Sequence, residues 1–459
     1  MIQCFTMKKV HFIAIGGSVM HQLALSLHQK GYQVSGSDDE IFEPARSNLA
    51  AAGLLPASLG WEPARITPDL DAVILGMHAR EDNPELIRAR QLELPIYSFP
   101  EYIYQESLHK TRVVIGGSHG KTTITAMIMH VLQHAGMDFD YLVGARLEGF
   151  DLSVRISNAP LIICEGDEYP ASAIQKQPKF HFLHPHIAVL SGIAWDHINI
   201  FPTFENYTEQ FDIFIKSIEP GGHLIYNVTD PVLRHLTAGA PAGLHLHPYD
   251  LPPHSIRKGI TFVRSGETDI PLQVFGEHNL MNLCAAKLVC QQLGITEKLF
   301  SEAIQSFKGA ARRLELVYRS DHAALYRDFA HAPSKVKASI KALKDQFPDR
   351  RLVAVLELHT YSSLNAAFLK EYQHAMDMAD NAVVYYSHHA LMLKKLPDIS
   401  PDDIRRGFDR EDLETSQSPE ELLAQLQEKA HGSVNLLMMS SGNFDGLDLA
   451  TLEKLLAHA

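Results

Sequence analysis

The sequence predicts an α/β protein built from parallel sheets with helices packed on both faces. Short apolar runs typical of buried strands alternate with helical patterns along almost the whole chain. Several of these runs end in glycine-rich turns or acidic residues, at the strand ends where open α/β sheets place their binding residues. A hydrophobic content of 46% supports folded cores, and 459 residues correspond to about three domains of ordinary size.

Charge and cysteine usage narrow the class of protein. The net charge is 41 − 54 = −13, which argues against a general nucleic-acid binder because affinity for the phosphate backbone requires clustered cations. The cysteines at positions 4, 164, 284 and 290 lack CxxC spacing and indicate reduced thiols. No apolar run reaches the ~18 residues of a membrane span, and no secretory signal pattern precedes the first strand. We therefore expect a cytoplasmic protein without membrane insertion.

The first block, "KVHFIAIGGSVMHQLALSLHQKGYQVSGSDD", predicts a strand, a glycine turn, a helix from about Met20 to Gln29, and a second strand ending near Asp38. A dinucleotide fingerprint requires GxGxxG, whereas from Gly16 the sequence reads GGSVMH, so NAD binding is disfavoured. A nucleotide-sugar diphosphate on the same helix N-terminus remains open. Further on, Asn83 and the following proline predict a turn and the start of a helix.

A candidate phosphate-binding loop opens the second block. Arg112 to Ile115 read as a buried strand, and apolar residues recur at helical spacing from Thr122 onwards. A strand, a glycine-rich turn and a helix opening on Lys-Thr form a site whose amide N–H groups and helix N-terminus attract an anion. Lys121 supplies a point charge for phosphate, and the Thr122 hydroxyl suits a bound Mg²⁺. The candidate residues are Gly117, Ser118, His119, Gly120, Lys121, Thr122 and Thr123.

Residues suited to a metal ion follow the next two strands of this block. Glu165 follows "LIIC", and His197 follows "AVLSGIAW". Because carboxyl ends of parallel strands share one edge, both are expected in the cleft of the phosphate loop. Mg²⁺ prefers oxygen ligands, and neutral imidazole is an acceptable further ligand for Mg²⁺ or Mn²⁺. Taken singly, Glu165 would be a solvated acid and His197 a packed histidine, but together with Thr122 they predict a metal site against ATP phosphates.

A further helix and a basic pair offer contacts for a nucleotide. In "GEHNLMNLCAAKLVC", Asn279 and Asn282 lie three apart on one helix face, where carboxamides suit adenine. Capping of the helix is the alternative explanation for Asn279. In "GAARRLEL", Arg312 and Arg313 carry planar forks suited to a γ-phosphate, although a surface arginine pair has the same spacing.

The third block begins around Arg312 and contains the strand-like runs "RLVAVLELHT", "NAVVYYS" and "VNLLMMSSGNFDG". The only loop-rich stretch of the chain, "TAGAPAGLHLHPYDLPPHSI", precedes this block and is interpreted as a long connection between strands.

Taken together, the motifs resemble those of the Mur ligases. GSHGKTT, EGDEY, WDHINIF, GEHNLMN, ARRLE, DFAHAPS and LELHTYSSLN occur in the order of that family over essentially the whole chain. The family's shortened loop, GT-x-GKT, accounts for Ile115, which stands where the strict phosphate-loop pattern requires glycine. The resemblance implies ATP-dependent amide formation in peptidoglycan metabolism, through an acyl phosphate and with Mg²⁺ or Mn²⁺.

The resemblance also implies a three-domain architecture. A Rossmann-like domain at residues 1–108 would bind a UDP-sugar, a central P-loop ATPase domain at 109–311 would bind ATP and Mg²⁺, and a Rossmann-like domain at 312–459 would bind the incoming amino acid or peptide. The implied partners are small molecules, UDP-N-acetylmuramate and an amine, and the oligomeric state is left open.

Residue roles follow from the same resemblance. The implied catalytic residues are Lys121, Glu165 and His197, of which the last two hold metal together with Thr122. Besides the phosphate loop, the implied ATP contacts are Asn279 and Asn282 on adenine, Arg313 on the γ-phosphate, Asp328 on the ribose, and His331 nearby. The implied substrate contacts are Gly16, Gly17, Ser18, Asp38, Asn83 and His359.

Two branches of the family fit the sequence. Residues 198–215 contain no lysine, which excludes the branches that carry a carbamylated lysine in this segment. One remaining branch adds L-alanine to UDP-N-acetylmuramate, and the other adds the tripeptide L-alanyl-γ-D-glutamyl-meso-diaminopimelate. "EGDEYPASAIQKQPKF" resembles the tripeptide branch, which we expect, whereas His359 agrees with the L-alanine branch. Arg327 and Ala332 depart from the family pattern, in which an acid and a second histidine are usual.

Other classes explain less of the chain. A ligase of the folylpolyglutamate synthase type would share the central domain but leave the first block unexplained. A nucleotide-dependent regulatory protein that had lost turnover would not need Lys121, Thr122, Glu165 and His197, all of which are present.

Overall fold

The computed structural model describes residues 7–144, 147, 149–195 and 200–457, which form four sheets with flanking helices. They divide into two compact units. The first holds the described residues of Met1–Ala194, Pro202–Asp250 and Ala285–Thr296; the second holds those of Trp195–Phe201, Leu251–Cys284 and Glu297–Ala459. The predicted α/β class is confirmed.

The N-terminal sheet of the first unit is fully parallel, with strand order β2-β1-β3-β4. Its elements are β1 (Lys9–Ile13), α1 (Ser18–Gln29), β2 (Gln33–Ser37), α2 (Ala45–Ala51), β3 (Ala72–Leu75), α3 (Pro84–Gln91), β4 (Ile96–Ser98) and α4 (Phe99–Glu106). The helix α1 begins at Ser18, two residues before the predicted Met20 and directly after its N-cap, Gly17. The helix start predicted at Asn83 is confirmed.

The central sheet has seven strands in the order β11-β10-β9-β5-β8-β6-β7, all parallel except β7. Its elements are β5 (Thr111–Gly116), α5 (Lys121–His134), β6 (Asp140–Leu142), β7 (Val154–Arg155), β8 (Leu161–Glu165), β9 (Ile187–Leu190), α6 (Phe204–Lys216), β10 (His223–Asn227), α7 (Pro231–Ala238) and β11 (His245–Tyr249). Because β5 lies between β8 and β9, the segments following these three strands share one edge of the sheet.

The periodicity that predicted α5 is confirmed by its packing. The five apolar residues that recur at helical spacing are all completely buried: Ile124, Met127, Ile128, Val131 and Leu132. Burial of this face against the sheet fixes the direction of the helix axis and therefore the position of its N-terminus at the end of β5.

The loop-rich stretch was interpreted incorrectly. It contains β11, which pairs in parallel with β10 along the edge of the central sheet. Most of β11 is exposed or half-buried, so an edge strand of this kind needs no apolar run and its sequence resembles a loop.

The second unit contains an antiparallel sheet, β12-β13-β14, and a six-stranded sheet in the order β15-β16-β20-β17-β18-β19. The small sheet was not predicted, because its short strands are largely exposed. The elements from this part of the chain are β12 (His254–Arg257), β13 (Ile260–Ser265), β14 (Thr268–Leu272), α8 (Glu277–Gln292), α9 (Glu297–Ile304), β15 (Glu315–Arg319), β16 (Ala323–Asp328), α10 (Pro333–Gln346), β17 (Arg351–Leu358), β18 (Asn381–Tyr386), α11 (His388–Leu393), α12 (Pro401–Phe408), β19 (Glu414–Ser416), α13 (Pro419–Lys429), β20 (Val434–Met439) and α14 (Leu449–Ala457). The residues of α8 from Ala285 onwards belong to the first unit.

The six-stranded sheet is parallel except for β15. Alternate residues of its strands enter two separate hydrophobic cores, as expected for a sheet covered on both faces. None of the helices in the described part of the chain combines the length and hydropathy needed to cross a lipid bilayer.

Candidate active site

Two glycines shape the phosphate loop between β5 and α5. Gly120 (φ 79°) takes the N-cap position, and Lys121 begins the helix. Gly117 (φ 117°) passes so close to the segment after β9 that a Cβ would lie 2.3 Å from Ser191 Oγ. A side chain is therefore excluded at Gly117. The predicted strand, glycine turn and helix are present.

Ser118 fastens the loop to two other elements. Its amide donates to the Gly192 carbonyl oxygen at 2.9 Å, and its hydroxyl oxygen accepts from the Ala194 amide at 2.9 Å. The same hydroxyl lies 2.9 Å from the Tyr207 hydroxyl of α6. These contacts come from segments far along the chain, so tertiary packing helps to hold the loop in shape.

The remaining loop residues surround the start of α5. His119 Nδ1 lies 2.7 Å from the Ser118 carbonyl oxygen. Thr122 and Thr123 occupy the first turn of the helix and are buried. The first amides of a helix have no carbonyl partner within it, and together with the helix dipole they favour an anion at this position.

Lys121 reaches back across the loop. Its Nζ donates to the Gly117 carbonyl oxygen at 2.7 Å and to Glu168 Oε2 at 2.8 Å. Burial alone would lower the pKa of Lys121, but Glu168, with smaller effects of Asp167 and Glu165, raises it above its ordinary value. Lys121 is therefore a fixed positive charge at neutral pH, as phosphate binding requires.

Glu165 is the last residue of β8 and lies beside Ile115 of β5 in the sheet register. Its Oε2 approaches Gly144 so closely that a Cβ there would lie 2.9 Å away. Its charge also raises the pKa of Lys121, which places it at the loop. Glu165 and Thr122 offer the oxygen donors that Mg²⁺ prefers, so the described residues fit this ion. His197 lies outside the described residues.

The candidate UDP-sugar contacts lie at the start of α1. Gly17 is the N-cap and Ser18 the first residue of this helix. The amide of Gly16 donates to Asp38 Oδ2 at 2.7 Å, so the structure brings these two predicted residues together. Burial raises the pKa of Asp38, which is 1% exposed, although the Gly16 amide opposes this shift. His78 Nδ1 lies 3.2 Å from Asp38 Oδ1.

Asn83 has a structural task in addition to its predicted role. Its side-chain oxygen accepts from the amides of Glu85 (2.9 Å) and Leu86 (3.1 Å) and caps α3. Capping commits this oxygen to the helix start, which leaves the amide nitrogen as the group that a ligand could use.

Asn279 and Asn282 lie in the first turns of α8, in the second unit, and both are buried. The amide nitrogen of Asn279 donates to the Phe275 carbonyl oxygen at 2.9 Å. The expected one-face placement is present. The alternative explanation for Asn279, capping of the helix, is wrong: Asn279 lies inside α8, and its side chain donates to the carbonyl oxygen of Phe275 in the preceding turn.

The predicted arginine, aspartate and histidine of the second unit surround Phe329. The guanidinium carbons of Arg313 and Arg312 lie 4.9 and 5.5 Å from the centre of its ring. His331 packs edge-on against the same ring, with centroids 5.2 Å apart. Asp328 ends β16 and accepts a hydrogen bond from Ser339. The structure therefore groups Arg313, Asp328 and His331 around one turn.

His359 follows β17 and is backed by a buried carboxylate. Its Nδ1 lies 3.4 Å from Oε1 of Glu357; the two side chains are 38% and 2% exposed. Glu357 also accepts from Ser440 and from the Phe444 amide (2.9 Å), which fixes the loop after β20. The imidazole thus has one nitrogen towards Glu357 and its other edge available to a substrate.

Sequence reasoning missed four residues of these sites: His78, Glu168, Tyr207 and Glu357. Glu168 and Glu357 lie inside motifs already singled out, and strand-end acids there could have been named. Nothing in the sequence connects Tyr207 with Ser118, because they are 89 residues apart.

The fold and the phosphate loop define the chain as an α/β protein built to bind nucleotide phosphates. Family models agree and are more specific: the Mur ligase family catalytic domain matches residues 9–110, the Mur ligase middle domain 115–290, and the Mur ligase glutamate ligase domain 312–442. The chain belongs to the Mur ligase family. It is an ATP-dependent ligase that forms an amide bond and releases ADP.

Individual similar proteins carry the names of two enzymes. The UDP-N-acetylmuramate–L-alanine ligase of Aquifex aeolicus is 31% identical, over 77% of this chain and 78% of its own. The ligase of the same name from Carboxydothermus hydrogenoformans is 28% identical, over 98% of this chain and 97% of its own. The murein peptide ligase of Psychrobacter arcticus shares the fold with a TM-score of 0.64 at 21% identity, over 98% and 99% of the chains. The UDP-N-acetylmuramate–alanine ligase of Thermotoga maritima also shares the fold, with a TM-score of 0.67 at 21% identity, over 98% of this chain and 100% of its own.

Proposed function

We propose that this ligase joins UDP-N-acetylmuramate to the tripeptide L-alanyl-γ-D-glutamyl-meso-diaminopimelate in peptidoglycan recycling. The ATP-dependent part rests on the phosphate loop with Lys121 at its centre. The choice of the tripeptide rests on the resemblance of "EGDEYPASAIQKQPKF" at residues 165–180 to that branch. The lysine-free segment 198–215 only restricts the chain to the tripeptide and L-alanine branches.

In the proposed function, each of the three domains binds a different ligand. Residues 1–108 bind the UDP-sugar through Gly16, Gly17, Ser18, Asp38 and the free amide group of Asn83. Residues 109–311 bind ATP, with Asn279 and Asn282 on adenine, and residues 312–459 take the amine, with His359 as a contact. Arg313, Asp328 and His331 are assigned to the γ-phosphate and ribose.

The chemistry proceeds in two steps. A carboxylate oxygen of the UDP-sugar attacks the γ-phosphorus, the bond to the bridging oxygen breaks, and ADP leaves an acyl phosphate behind. The amine nitrogen then attacks the carbonyl carbon, inorganic phosphate departs, and the nitrogen loses a proton. Lys121 and the loop amides stabilise charge on the transferring phosphoryl group. A Mg²⁺ ion held by Thr122, Glu165 and, by resemblance, His197 would neutralise further charge.

A second candidate is addition of L-alanine to the same UDP-sugar. The relatives that are 31% identical to this chain carry the name of that activity. By resemblance, His359 agrees with this branch, whose pattern has histidine at this position.

Phosphate release from ATP, Mg²⁺ and UDP-N-acetylmuramate tests both candidates when the tripeptide and L-alanine are supplied in parallel reactions. We expect turnover mainly with the tripeptide, and none after chelation of the metal with EDTA. Turnover mainly with L-alanine would assign the chain to the biosynthetic branch. Turnover with neither amine would contradict the use of this UDP-sugar.

A further inference from the structure

A buried chain of hydrogen bonds runs from Ser118 to Lys121 by way of α6. The Tyr207 hydroxyl lies 2.9 Å from Ser118 Oγ and 3.4 Å from Glu168 Oε1. The other oxygen of Glu168 accepts from Lys121 Nζ at 2.8 Å. Tyr207 is completely buried and Glu168 is 2% exposed. One tyrosine from a separate helix therefore contacts both the turn of the phosphate loop and the partner of its lysine.

The donor and the acceptor of each hydrogen bond in this network follow from the chemistry of the side chains. The Glu168 carboxylate, ion-paired with Lys121, only accepts hydrogen bonds, so Tyr207 donates its single proton to Glu168. Ser118 must then donate to the Tyr207 oxygen, while its own oxygen accepts from the Ala194 amide at 2.9 Å. The hydroxyl protons of Ser118 and Tyr207 are thus both used in this chain of hydrogen bonds. A movement of Glu168 would therefore also disturb the phosphate loop.

Lys121 is already engaged in this arrangement. Two of its three donors are used, one by Glu168 and one by the Gly117 carbonyl oxygen at 2.7 Å. A carboxylate and a phosphate oxygen are both anionic acceptors, and both compete for the same ammonium group. Glu168 therefore pairs with the Lys121 ammonium group, with which the phosphates would pair in the proposed function.

We propose that Glu168 is a positioning residue that occupies Lys121 until nucleotide phosphates displace it, and that Tyr207 sets how firmly it does so. This inference rests on the proposed function, in which Lys121 contacts the β- and γ-phosphates of ATP. The nucleotide must exchange an existing ion pair for its own, so the strength of the Glu168 contact opposes binding while it keeps the lysine in place.

The inference predicts an effect that loss of packing would not produce. Glu168→Gln keeps the shape but removes the charge that competes for Lys121, so nucleotide should bind more tightly. Turnover should fall at the same time, because the lysine is less firmly directed. Tyr207→Phe removes one hydroxyl group that donates to Glu168. Nucleotide affinity and turnover should change in the same directions, but by smaller amounts.

The N-terminal sheet offers a matched control. The Tyr32 hydroxyl donates to Glu106 at 3.0 Å, and Glu106 accepts from Lys30 at 2.6 Å. The same three residue types therefore form a similar arrangement outside every proposed site, although Glu106 also pairs with Lys8 at 3.4 Å. Tyr32→Phe reports the general effect of losing a tyrosine–carboxylate hydrogen bond.

Calorimetric titration with a non-hydrolysable ATP analogue and Mg²⁺ tests the inference on the full chain. We expect the Kd of the analogue to fall about tenfold in Glu168→Gln and about two- to threefold in Tyr207→Phe, and to stay unchanged in Tyr32→Phe. kcat should fall in the first two variants, with the KM for UDP-sugar unaltered.

Equal or weaker analogue binding by Glu168→Gln or Tyr207→Phe, at a native unfolding temperature, would overturn the inference. If Glu168→Gln does not fold, Tyr207→Phe decides alone. A Lys121→Ala variant separates failure of the proposed function, in which Lys121 contacts phosphate, from failure of the role proposed for Glu168. If it binds the analogue as tightly as the wild type, the assignment of Lys121 to phosphate is wrong, whatever the result at Glu168.

Discussion

The loop after β1 and the loop after β5 share a local design and differ in the group that a buried carboxylate binds. In each, parallel strands lead into a turn that contains glycines, and a glycine is the N-cap of the helix that follows. After β1, Asp38 accepts from the backbone amide of Gly16 at 2.7 Å. After β5, Glu168 accepts from the side chain of Lys121 at 2.8 Å.

This difference teaches how one backbone motif serves two purposes. A carboxylate on a backbone amide is part of the scaffold and ties the end of β2 to the loop. A carboxylate on a lysine can be exchanged, since the long side chain moves without any change in the fold. In the proposed function, the first loop binds the diphosphate of the UDP-sugar, and the second binds a phosphoryl group on which charge develops during transfer.

Lys121→Ala should have the largest effect. Loss of the only lysine in the phosphate loop should lower phosphate release by about 1,000-fold, because no other loop side chain carries its charge. Affinity for the UDP-sugar, measured by calorimetry, should be largely unchanged. Lost UDP-sugar affinity would contradict separate sites at the two loops.

Asp38→Ala is the reciprocal change at the first loop. We expect the affinity for UDP-sugar to fall about tenfold, since the Gly16 amide loses its acceptor and the turn loosens. Binding of a non-hydrolysable ATP analogue should remain as in the wild type. Tighter UDP-sugar binding would show that Asp38 withholds this amide from the ligand, as Glu168 is proposed to withhold Lys121.

Glycine substitutions compare the rigidity of the two loops through the stability of the fold. Gly117→Ala should cost about 3 kcal/mol in free energy of unfolding, because its φ is positive and the new Cβ meets Ser191. Gly16→Ala should cost about 1 kcal/mol, since its Cβ lies 2.9 Å from Asp38 Oδ2, at the end of a side chain that can shift. Urea unfolding measures both, and equal costs would contradict the difference in rigidity.

Much of the fold could be predicted from local patterns. The helical period gave the buried face of α5, and the glycine turns gave the starts of α1 and α5 to within two residues. The proline after Asn83 marked the start of α3. The edge strand β11 and the small sheet β12-β13-β14 escaped prediction, because strands with little buried surface carry little hydrophobic pattern.

The sequence by itself determined the class of fold, the phosphate loop and the resemblance to the Mur ligases, because periodicity, turns and motifs are encoded over a few neighbouring residues. Only the tertiary structure decided which charges meet. Lys121 and Glu168 are 47 residues apart, and Ser118 and Tyr207 are 89 apart. Such pairs depend on the register of packed strands and helices, which is set by the burial of whole faces and cannot be read from any short stretch of the chain.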